Sequence, residues 1–381
     1  MKRILILLLI LAILNGCSHS TKENSNVYQS PAEKENFKGV WIYYNEISMI
    51  SEGGGTEESF RQKVNKIFSD CKNFGLNALI VQVRPFADSF YPSSVFPWSK
   101  YLTGEIGKSV PYDPLKIMIE VAHENNLKFH AWINPFRISY ESEYELNEMI
   151  NNYDDVICKL ENGTYFNPSS QASHKLILEG VREIVKNYNV DGIHIDDYFY
   201  PSTSENIDKK EFDLYCKYGG RLSLEEWRIA KINSFVSNLY NSVKYINNNV
   251  LVSVSPAGNI ENNYNSLYAD VSLWSSEKGY CDMIIPQLYF GFNNKKLPFS
   301  DAVVDWSNLN SDADIELVAG LAAYKSAAQE TEEWSDFNIL NKQVDFILSN
   351  EKYDGYCLFS YSSLISIKNR NKQPSDIVNK N

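Results

Sequence analysis

Residues 191–201 read DGIHIDDYFYP, a strand that turns acidic and aromatic before a proline stops it. Asp196 and Asp197 are adjacent, His194 lies two residues upstream, and Tyr198 and Tyr200 follow. Carboxylates transfer protons, and aromatic rings stack on the apolar faces of sugars. The stretch therefore predicts a saccharide site at the C-terminal end of a strand. The alternative is a strand end whose aspartates only cap the next turn, since aspartate favours turns and helix starts.

Apolar runs like this one alternate with helical patterns from residue 37 onward, and no domain break interrupts them. Alternating strands and helices require parallel pairing through crossovers, so eight such units predict an α/β fold, a (β/α)8 TIM barrel. Long loops are expected after strands 2, 3 and 4. An open doubly wound sheet is the alternative, but no glycine-rich phosphate-binding fingerprint follows the first strand. The other seven predicted strands lie at residues 39–44, 78–84, 128–134, 250–255, 282–289, 316–322 and 354–360.

Composition narrows the range of partners. The formal net charge is −12, whereas nucleic-acid binding depends on Lys and Arg that neutralise phosphates, so we expect no nucleic-acid partner. The 25 Tyr and 7 Trp suit a protein that binds flat apolar faces bearing hydroxyls. Cysteine and histidine spacings match no zinc or redox motif, so no metal or other cofactor is predicted. Cys71, Cys281 and Cys357 are expected to be buried thiols.

The N-terminus has the order of a secretory signal: Lys2 and Arg3, then an apolar run from Ile4 to Leu14. The run is too short for a comfortable membrane span, which needs about 20 residues. The tetrapeptide LNGC that ends at Cys17 resembles a bacterial lipobox, which implies a lipid-modified Cys17 and attachment to a membrane. The alternative is a plain signal peptide with an incidental cysteine. Residues 18–36 are polar and predict a tether, followed by a barrel domain at 37–381.

Several predicted strands end in polar residues, and active sites of such barrels lie at the C-terminal ends of the strands. Alternate residues of a strand face the same way, and the apolar set must face the helices. The polar set is therefore expected to face inward. For His130, deep in its strand, we favour a hydrogen-bonded role in the barrel core. The polar set comprises Gln82, Arg84 and the following Asp88, then His130, Trp132, Asn134, His194, Asp196, Ser253, Ser255, Gln287 and Tyr289.

Segments along the whole barrel region carry a family resemblance: FKGVW at 37–41, VQVRP at 81–85, WINPFR at 132–137, the 191–201 stretch, and PQLY at 286–289. With them the chain resembles the bacterial family-10-like glycosyl hydrolases, which include peptidoglycan glycosidases of the division site. The resemblance implies a (β/α)8 fold and a cell-envelope location. It also implies a polysaccharide substrate, the glycan strands of peptidoglycan, including strands stripped of stem peptides. Cell-division machinery is a further implied partner.

The GIHID segment at 192–196 is also similar to the Gly-x-Arg-x-Asp strand of α-amylase-type barrels, in which the Asp is the nucleophile. This chain departs from that pattern because His194 replaces the Arg. It also has Ser255-Pro256-Ala257 at the end of strand 5, where those enzymes carry a glutamate acid. A simple amylase-like acid pair is therefore in doubt.

Glycoside hydrolysis generally uses two carboxylates, about 5–5.5 Å apart for retention and about 6.5–9.5 Å for inversion. Adjacent strand residues point to opposite faces, so Asp196 and Asp197 can both serve only if the strand bends there. A second scheme suits adjacent acids better: the sugar's own N-acetyl group attacks the anomeric carbon, one acid orients that group, and the other protonates the leaving oxygen. Adjacent aspartates of this kind are similar to those of O-GlcNAcase-type barrels, and peptidoglycan sugars are N-acetylated.

Our hypothesis is that Asp196 and Asp197 are the catalytic carboxylates. A close pair raises one pKa, giving one acid and one anion near neutral pH. His194 is expected to be a hydrogen-bond donor in the site, and Trp132, Tyr198 and Tyr200 to be stacking surfaces. Asp88, grouped with the binding set, and Glu46 are reserve acids. The residues expected to hold hydroxyls or acetamide are Arg84, Asn134, Gln287 and Tyr289, with Arg84 alternatively a structural partner that keeps Asp196 ionised.

Two other functions compete with a glycosidase. A lipoprotein that binds glycan without cleaving it is supported by the missing strand-5 glutamate. A metal-dependent hydrolase or deacetylase would need clustered His and Asp ligands at strand ends. Of the 5 His, His130 and His194 are the ones expected on strands, which disfavours the metal enzyme.

Overall fold

The computed structural model describes residues 35–140, 156–311, 314–336 and 338–371. Eight parallel strands close into a barrel in which each strand pairs with the next along the chain and the last pairs with the first. The predicted TIM barrel is therefore confirmed. The barrel strands are β1 Phe37–Ile42, β2 Ala78–Arg84, β3 Lys128–Ile133, β4 Gly192–Ile195, β5 Leu251–Val254, β6 Met283–Ile284, β7 Glu316–Leu321 and β8 Gly355–Phe359.

Helices follow the strands and cover the outside of the barrel. Helix Pro114–Glu124 begins in a typical way, because the Asp113 carboxylate accepts a hydrogen bond from the Lys116 N–H and Pro114 is the first helical residue. No helix among the described residues has the length and apolarity to cross a membrane. The helices are Glu57–Asn73, Lys100–Thr103, Pro114–Glu124, Gln171–Asn187, Lys209–Lys217, Leu224–Ile246, Ile260–Ser266, Val271–Ser276, Phe299–Leu309, Ala323–Ala328, Ile339–Leu348 and Tyr361–Asn371.

The core has two layers. The larger lies between barrel and helices, and the smaller fills the barrel interior around Trp41, Trp132 and Met283. His130 lies at the bottom of that interior against Phe37, and burial lowers its pKa to about 4. Gly192 on the neighbouring strand is required there, since a Cβ would lie 2.2 Å from the His130 ring. The period-2 argument for the inward face thus holds, and His130 lies in the core as expected. The expected hydrogen bond is not present, because its buried Nδ1 has no partner among the described residues.

Two features differ from the sequence expectation. The sixth strand, expected at 282–289, is regular only at Met283–Ile284, because Pro286 lacks an N–H and the chain continues as isolated bridges around Gln287. The long loop after β3 holds a sheet that the sequence did not indicate. Its antiparallel strands are Arg137–Ser139, Gly163–Phe166 and Ile157–Leu160, with Gly163–Phe166 in the middle.

The predicted long loops after β2, β3 and β4 are present and lie at the C-terminal ends of these strands. Cys71, Cys281 and Cys357 are buried free thiols, as expected. The predicted secretion signal and lipidated Cys17, with the tether as far as residue 34, lie outside the described residues. These N-terminal features stay predictions.

Candidate active site

Asp196 and Asp197 follow β4 directly, at the C-terminal rim of the barrel. The last ladder bond at this edge is the one that the Ser255 N–H donates to the Ile195 carbonyl, at 2.8 Å. The chain then turns, and the Phe199 N–H donates to the Asp197 carbonyl at 2.9 Å. The bend that two adjacent acids require is therefore present. It lets Asp196 meet residues of β3 while Asp197 meets the segment after β6.

Asp196 is buried and is held by several N–H donors. The Trp132 indole N–H donates to its Oδ2 at 2.9 Å, and the Asn134 amide donates to the same oxygen at 3.2 Å. The Tyr198 backbone N–H lies 3.4 Å from Oδ1. Asn134 is itself oriented, because its Oδ1 accepts from the Arg137 N–H at 3.0 Å. The position of this carboxylate is thus fixed by the end of β3.

Asp197 is less buried and has a different partner. The Gln287 side-chain amide donates to its Oδ1 at 3.0 Å and also to the Ser255 carbonyl at 3.2 Å. Gln287 lies just after Pro286, in the irregular segment that replaces the expected end of the sixth strand. The irregular backbone therefore brings the Gln287 amide to the second carboxylate.

The surroundings of Asp196 and Asp197 raise the pKa of both carboxyl groups. Burial raises the pKa of Asp196 to about 7, and the nearby charge of Asp197 adds to this, while Arg137 and the Trp132 hydrogen bond oppose it. Burial also raises the pKa of Asp197, against the hydrogen bond from Gln287. Of two neighbouring carboxyl groups with raised pKa values, one can be protonated while the other is ionised near neutral pH. The arrangement can therefore supply one acid and one anion.

His194 does not face the mouth, which corrects its expected role as a donor to substrate. It is fully buried, and the Trp41 indole N–H donates to its Nε2 at 3.1 Å. An indole only donates, so Nε2 is the acceptor and Nδ1–H donates to the Ser253 hydroxyl at 2.8 Å. Burial lowers the pKa of His194 well below its ordinary value. Its ring packs edge-on against Trp132, so it supports the residue that holds Asp196.

Trp132 and Arg84 also have structural roles where substrate contacts were expected. Trp132 is buried, with its N–H committed to Asp196, and offers little ring surface for stacking. The buried Arg84 guanidinium donates to the carbonyls of Phe86, Asn134 and Pro135, at 3.2, 2.6 and 3.2 Å. It therefore joins the loops after β2 and β3 and has no donor edge open to a sugar. A structural role was its alternative, and Arg84 does interact electrostatically with Asp196. It does not keep Asp196 ionised, because burial still raises the pKa of that carboxyl, and Arg137 is the cation that opposes this.

The carboxylates of the two reserve acids accept hydrogen bonds from neighbouring protein groups. Asp88 is buried, accepts from the Phe86 N–H at 3.3 Å, and lines a cavity of about 80 Å³ with Lys100 and Tyr101. Burial raises the pKa of Asp88 to about 6. Glu46 accepts from the Tyr43 N–H, the Ser360 hydroxyl and the Ser362 N–H, so it caps the start of the last helix.

Of the expected aromatic contacts, the structure leaves two at the mouth. Tyr198 is 46% exposed beside the pair, and Tyr289 is partly exposed. Tyr200 is 2% exposed, and its hydroxyl donates to Asp208 at 2.9 Å, which corrects its expected stacking role. The loop after Tyr198 turns back into the protein, and Tyr200 packs there beside Arg228.

Sequence reasoning missed Arg137 and, apart from Tyr289, a second group made of aromatic residues at this rim. Arg137 lies with its guanidinium 3.6 Å over the Tyr198 ring and acts electrostatically on both aspartates. Its only signal was its place in the WINPFR segment. The second group, here called the aromatic wall, gathers rings from the ends of β1, β6, β7 and β8 whose centroids lie 5.7–6.3 Å apart. The aromatic wall consists of Tyr43, Tyr289, Tyr324 and Phe359.

Among the described residues, the side chains that could bind a metal ion are not gathered in one place. Within the ranges that the structure describes, no group of three or more His, Cys, Asp or Glu is placed to hold a metal ion.

A closed (β/α)8 barrel with paired acids at a strand end and aromatic rings around them has the make-up of a glycoside hydrolase. Comparison with known proteins identifies the family. A sequence model of the family described as Glycosyl hydrolase-like 10 matches residues 36–336. The chain is 34% identical over 367 residues to glycosyl hydrolase YngK of Bacillus subtilis (strain 168), covering 89% of this chain and 70% of that protein. The chain therefore belongs to the glycosyl hydrolase-like 10 family, and it is a glycosidase.

Further similarities agree with this assignment. Glycosyl hydrolase DigH of Escherichia coli (strain K12) is 28% identical over 323 residues, with 76% of this chain and 73% of DigH covered. Among solved structures, the glycoside hydrolase domain of PgaB (BpsB) from Bordetella bronchiseptica superposes with a TM-score of 0.65. That match covers 91% of this chain and 100% of the domain at 12% identity, so it supports the fold.

Proposed function

We propose that the protein hydrolyses the glycan strands of peptidoglycan, an N-acetylhexosamine polymer, outside the cytoplasm. The observation that carries this proposal is the turn after β4, which gives the adjacent Asp196 and Asp197 separate partners at one barrel mouth. Adjacent acids suit a substrate whose own N-acetyl group takes part. The predicted secretion signal and lipidated Cys17 would bring the enzyme to the cell envelope, where such a polymer lies.

In the proposed reaction the acetamido oxygen of the bound sugar forms a bond to the anomeric carbon as the glycosidic bond breaks. One aspartate accepts a hydrogen bond from the acetamido N–H and stabilises the cation that develops. The other gives its proton to the leaving oxygen, then takes a proton from the water that opens the cyclic intermediate. A pair in which one aspartate is ionised and the other is protonated meets both requirements. Tyr198 and the aromatic wall provide rings on which the pyranose units stack.

The decisive experiment measures reducing ends and product masses from peptide-free peptidoglycan glycan. Residues 18–381 are compared with the Asp196→Asn and Asp197→Asn variants, and with Asp301→Asn, a solvent-exposed helix position, as the matched control. We expect short saccharides from the wild type and the control, and none from either pair variant. A substrate with an activated leaving group then assigns the roles, because it restores turnover in the variant that lacks the acid and not in the other.

Two other results would contradict the proposed mechanism. Retention of the glycan without new reducing ends would favour the binding lipoprotein. Full activity of either pair variant would remove that aspartate from the mechanism.

The predicted anchor is tested separately. In a bacterial host that processes lipoproteins, the full chain is expected in the membrane fraction, and a Cys17→Ala variant is expected in the soluble exported fraction. An unchanged distribution would favour the plain signal peptide.

A further inference from the structure

Three buried arginines lie in or beside the loops that follow β2, β3 and β4, and they differ in what their guanidinium groups contact. Arg84 donates to three backbone carbonyls. Arg228 lies 2.6 Å from Asp208 and also donates to the carbonyls of two loop residues. Arg137 is 5% exposed, yet its buried Nε has no hydrogen-bond acceptor among the described residues.

Arg137 is in direct contact with aromatic rings, whereas the nearby Asp196 and Asp197 act on it only through their charge. Its guanidinium lies 3.6 Å from the centroid of the Tyr198 ring and 4.8 Å from that of Tyr140, and it donates to the Tyr140 hydroxyl. Whereas Arg228 has an ion-paired carboxylate, no ion pair between described residues includes Arg137. Rings over the flat faces of a guanidinium fix its plane and leave its N–H edge for a ligand in that plane.

A buried donor without an acceptor costs free energy, even though Tyr198 and Asp196 outweigh burial and raise the pKa of Arg137. It is also unusual in a chain of net charge −12, in which carboxylates are abundant. Its position beside Asp196 and Asp197 places the unused donor at the bond-cleaving end of the site. An arginine so arranged is suited to a planar anion, because guanidinium and carboxylate match in bidentate geometry.

We propose that Arg137 binds a carboxylate carried by the saccharide, on a sugar residue at or next to the bond that is cleaved. The proposal rests on the proposed function for the identity of the polymer. In peptidoglycan the carboxylate-bearing sugar is N-acetylmuramic acid, whose lactyl group is a free carboxylate where no peptide is attached and an amide where one is. Arg137 is therefore a specificity-determining residue that distinguishes the free carboxylate from the amide.

The test compares two forms of one substrate: peptide-free glycan with free lactyl carboxylates, and the same glycan after these are coupled to methylamine as neutral amides. The enzymes are the wild type, Arg137→Gln and Arg137→Lys, with the exposed Arg221→Gln as the matched control. The measured quantity is the ratio of kcat/KM for the two glycans. We expect the wild type and the control to prefer the carboxylate form by roughly 10- to 100-fold, as expected for a hydrogen bond to a charged group.

Arg137→Gln is expected to lose that preference, and Arg137→Lys to keep part of it. An equal loss of activity on both glycans would overturn the proposal and leave Arg137 as a residue that positions or ionises the aspartates. Equilibrium binding of the two glycans to Asp196→Asn, with and without Arg137→Gln, separates this proposal from the proposed function. A carboxylate preference that depends on Arg137 supports the inference even where no bond is cleaved, and its absence contradicts it.

Discussion

The two ends of β4 carry aspartates with opposite properties. At the N-terminal end, Asp191 accepts hydrogen bonds from the Phe129 N–H, His123 and Lys128, and these outweigh partial burial and lower its pKa. At the C-terminal end, burial raises the pKa of Asp196 to about 7. The bottom of the barrel thus stabilises an anion, whereas the top maintains an acid whose ionisation is costly. The comparison separates an aspartate that supports the fold from the aspartate to which we assign chemistry in the proposed function.

The largest expected effect comes from replacing each of these aspartates by asparagine. Asp196→Asn should lower kcat/KM about 10²- to 10⁴-fold, the usual contribution of a proton-transferring group, with little loss of stability. Asp191→Asn should lower the free energy of unfolding by about 1–3 kcal/mol, because the partly buried Phe129 N–H and His123 lose a charged acceptor, and should leave kcat nearly unchanged. Turnover assays and denaturant unfolding of both variants check this. The reverse pattern would contradict the division between the two ends.

The pH dependence of stability should differ in sign at the two ends. The folded-state pKa of Asp196 lies above its ordinary value of 3.8, so its contribution to stability is full at low pH and is lost as pH rises towards about 7. This amounts to at most about 4 kcal/mol, and Asp196→Asn should remove it. Asp191 has a lowered pKa, so its contribution is present above its ordinary pKa and is lost as pH falls. Unfolding curves at several pH values, compared between wild type and each variant, measure both. An Asp196→Asn protein with the wild-type slope between pH 4 and 7 would show that the carboxyl is not perturbed.

A third prediction concerns His194 and its hydrogen-bond partners, which support the residue that holds Asp196. Trp41→Phe removes the donor to His194 Nε2 and leaves a buried acceptor unsatisfied, so the free energy of unfolding should fall by about 1–3 kcal/mol. Ser253→Ala removes the partner of the other ring nitrogen and is the matched variant. Activity should fall less than in Asp196→Asn, and the pH profile of kcat/KM should keep its midpoint, since His194 does not titrate near neutrality. A shifted midpoint in Trp41→Phe would mean that His194 belongs to the proton-transfer machinery after all.

The sequence allowed the barrel and the location of the acid pair to be predicted because both follow from local rules. Strand and helix alternation specifies parallel pairing, and the period of two assigns a face to each residue. The period of two does not give the depth of a residue along the barrel axis. For this reason His194 and Trp132 were predicted to contact substrate at the mouth. Arg137 was missed because its position depends on a strand pairing in which it lies opposite Tyr165. That pairing is formed within the long loop after β3, and the pattern of hydrophobic residues does not predict it. The partners of Glu46 could not be predicted, because Ser360 and Ser362 lie at the far end of the chain.

The smallest expected effect distinguishes the two tyrosines that follow the pair. Tyr198 is exposed at the mouth, so Tyr198→Ala should raise KM about 2- to 10-fold through lost stacking on a sugar ring. Tyr200 lies inside the loop with its hydroxyl on Asp208, so Tyr200→Phe should leave KM unchanged and lower the free energy of unfolding by about 1 kcal/mol. Steady-state kinetics and thermal unfolding of both variants separate the two roles. A raised KM in Tyr200→Phe would mean that the loop after β4 rearranges when substrate binds, so that Tyr200 as well as Tyr198 contacts the sugar.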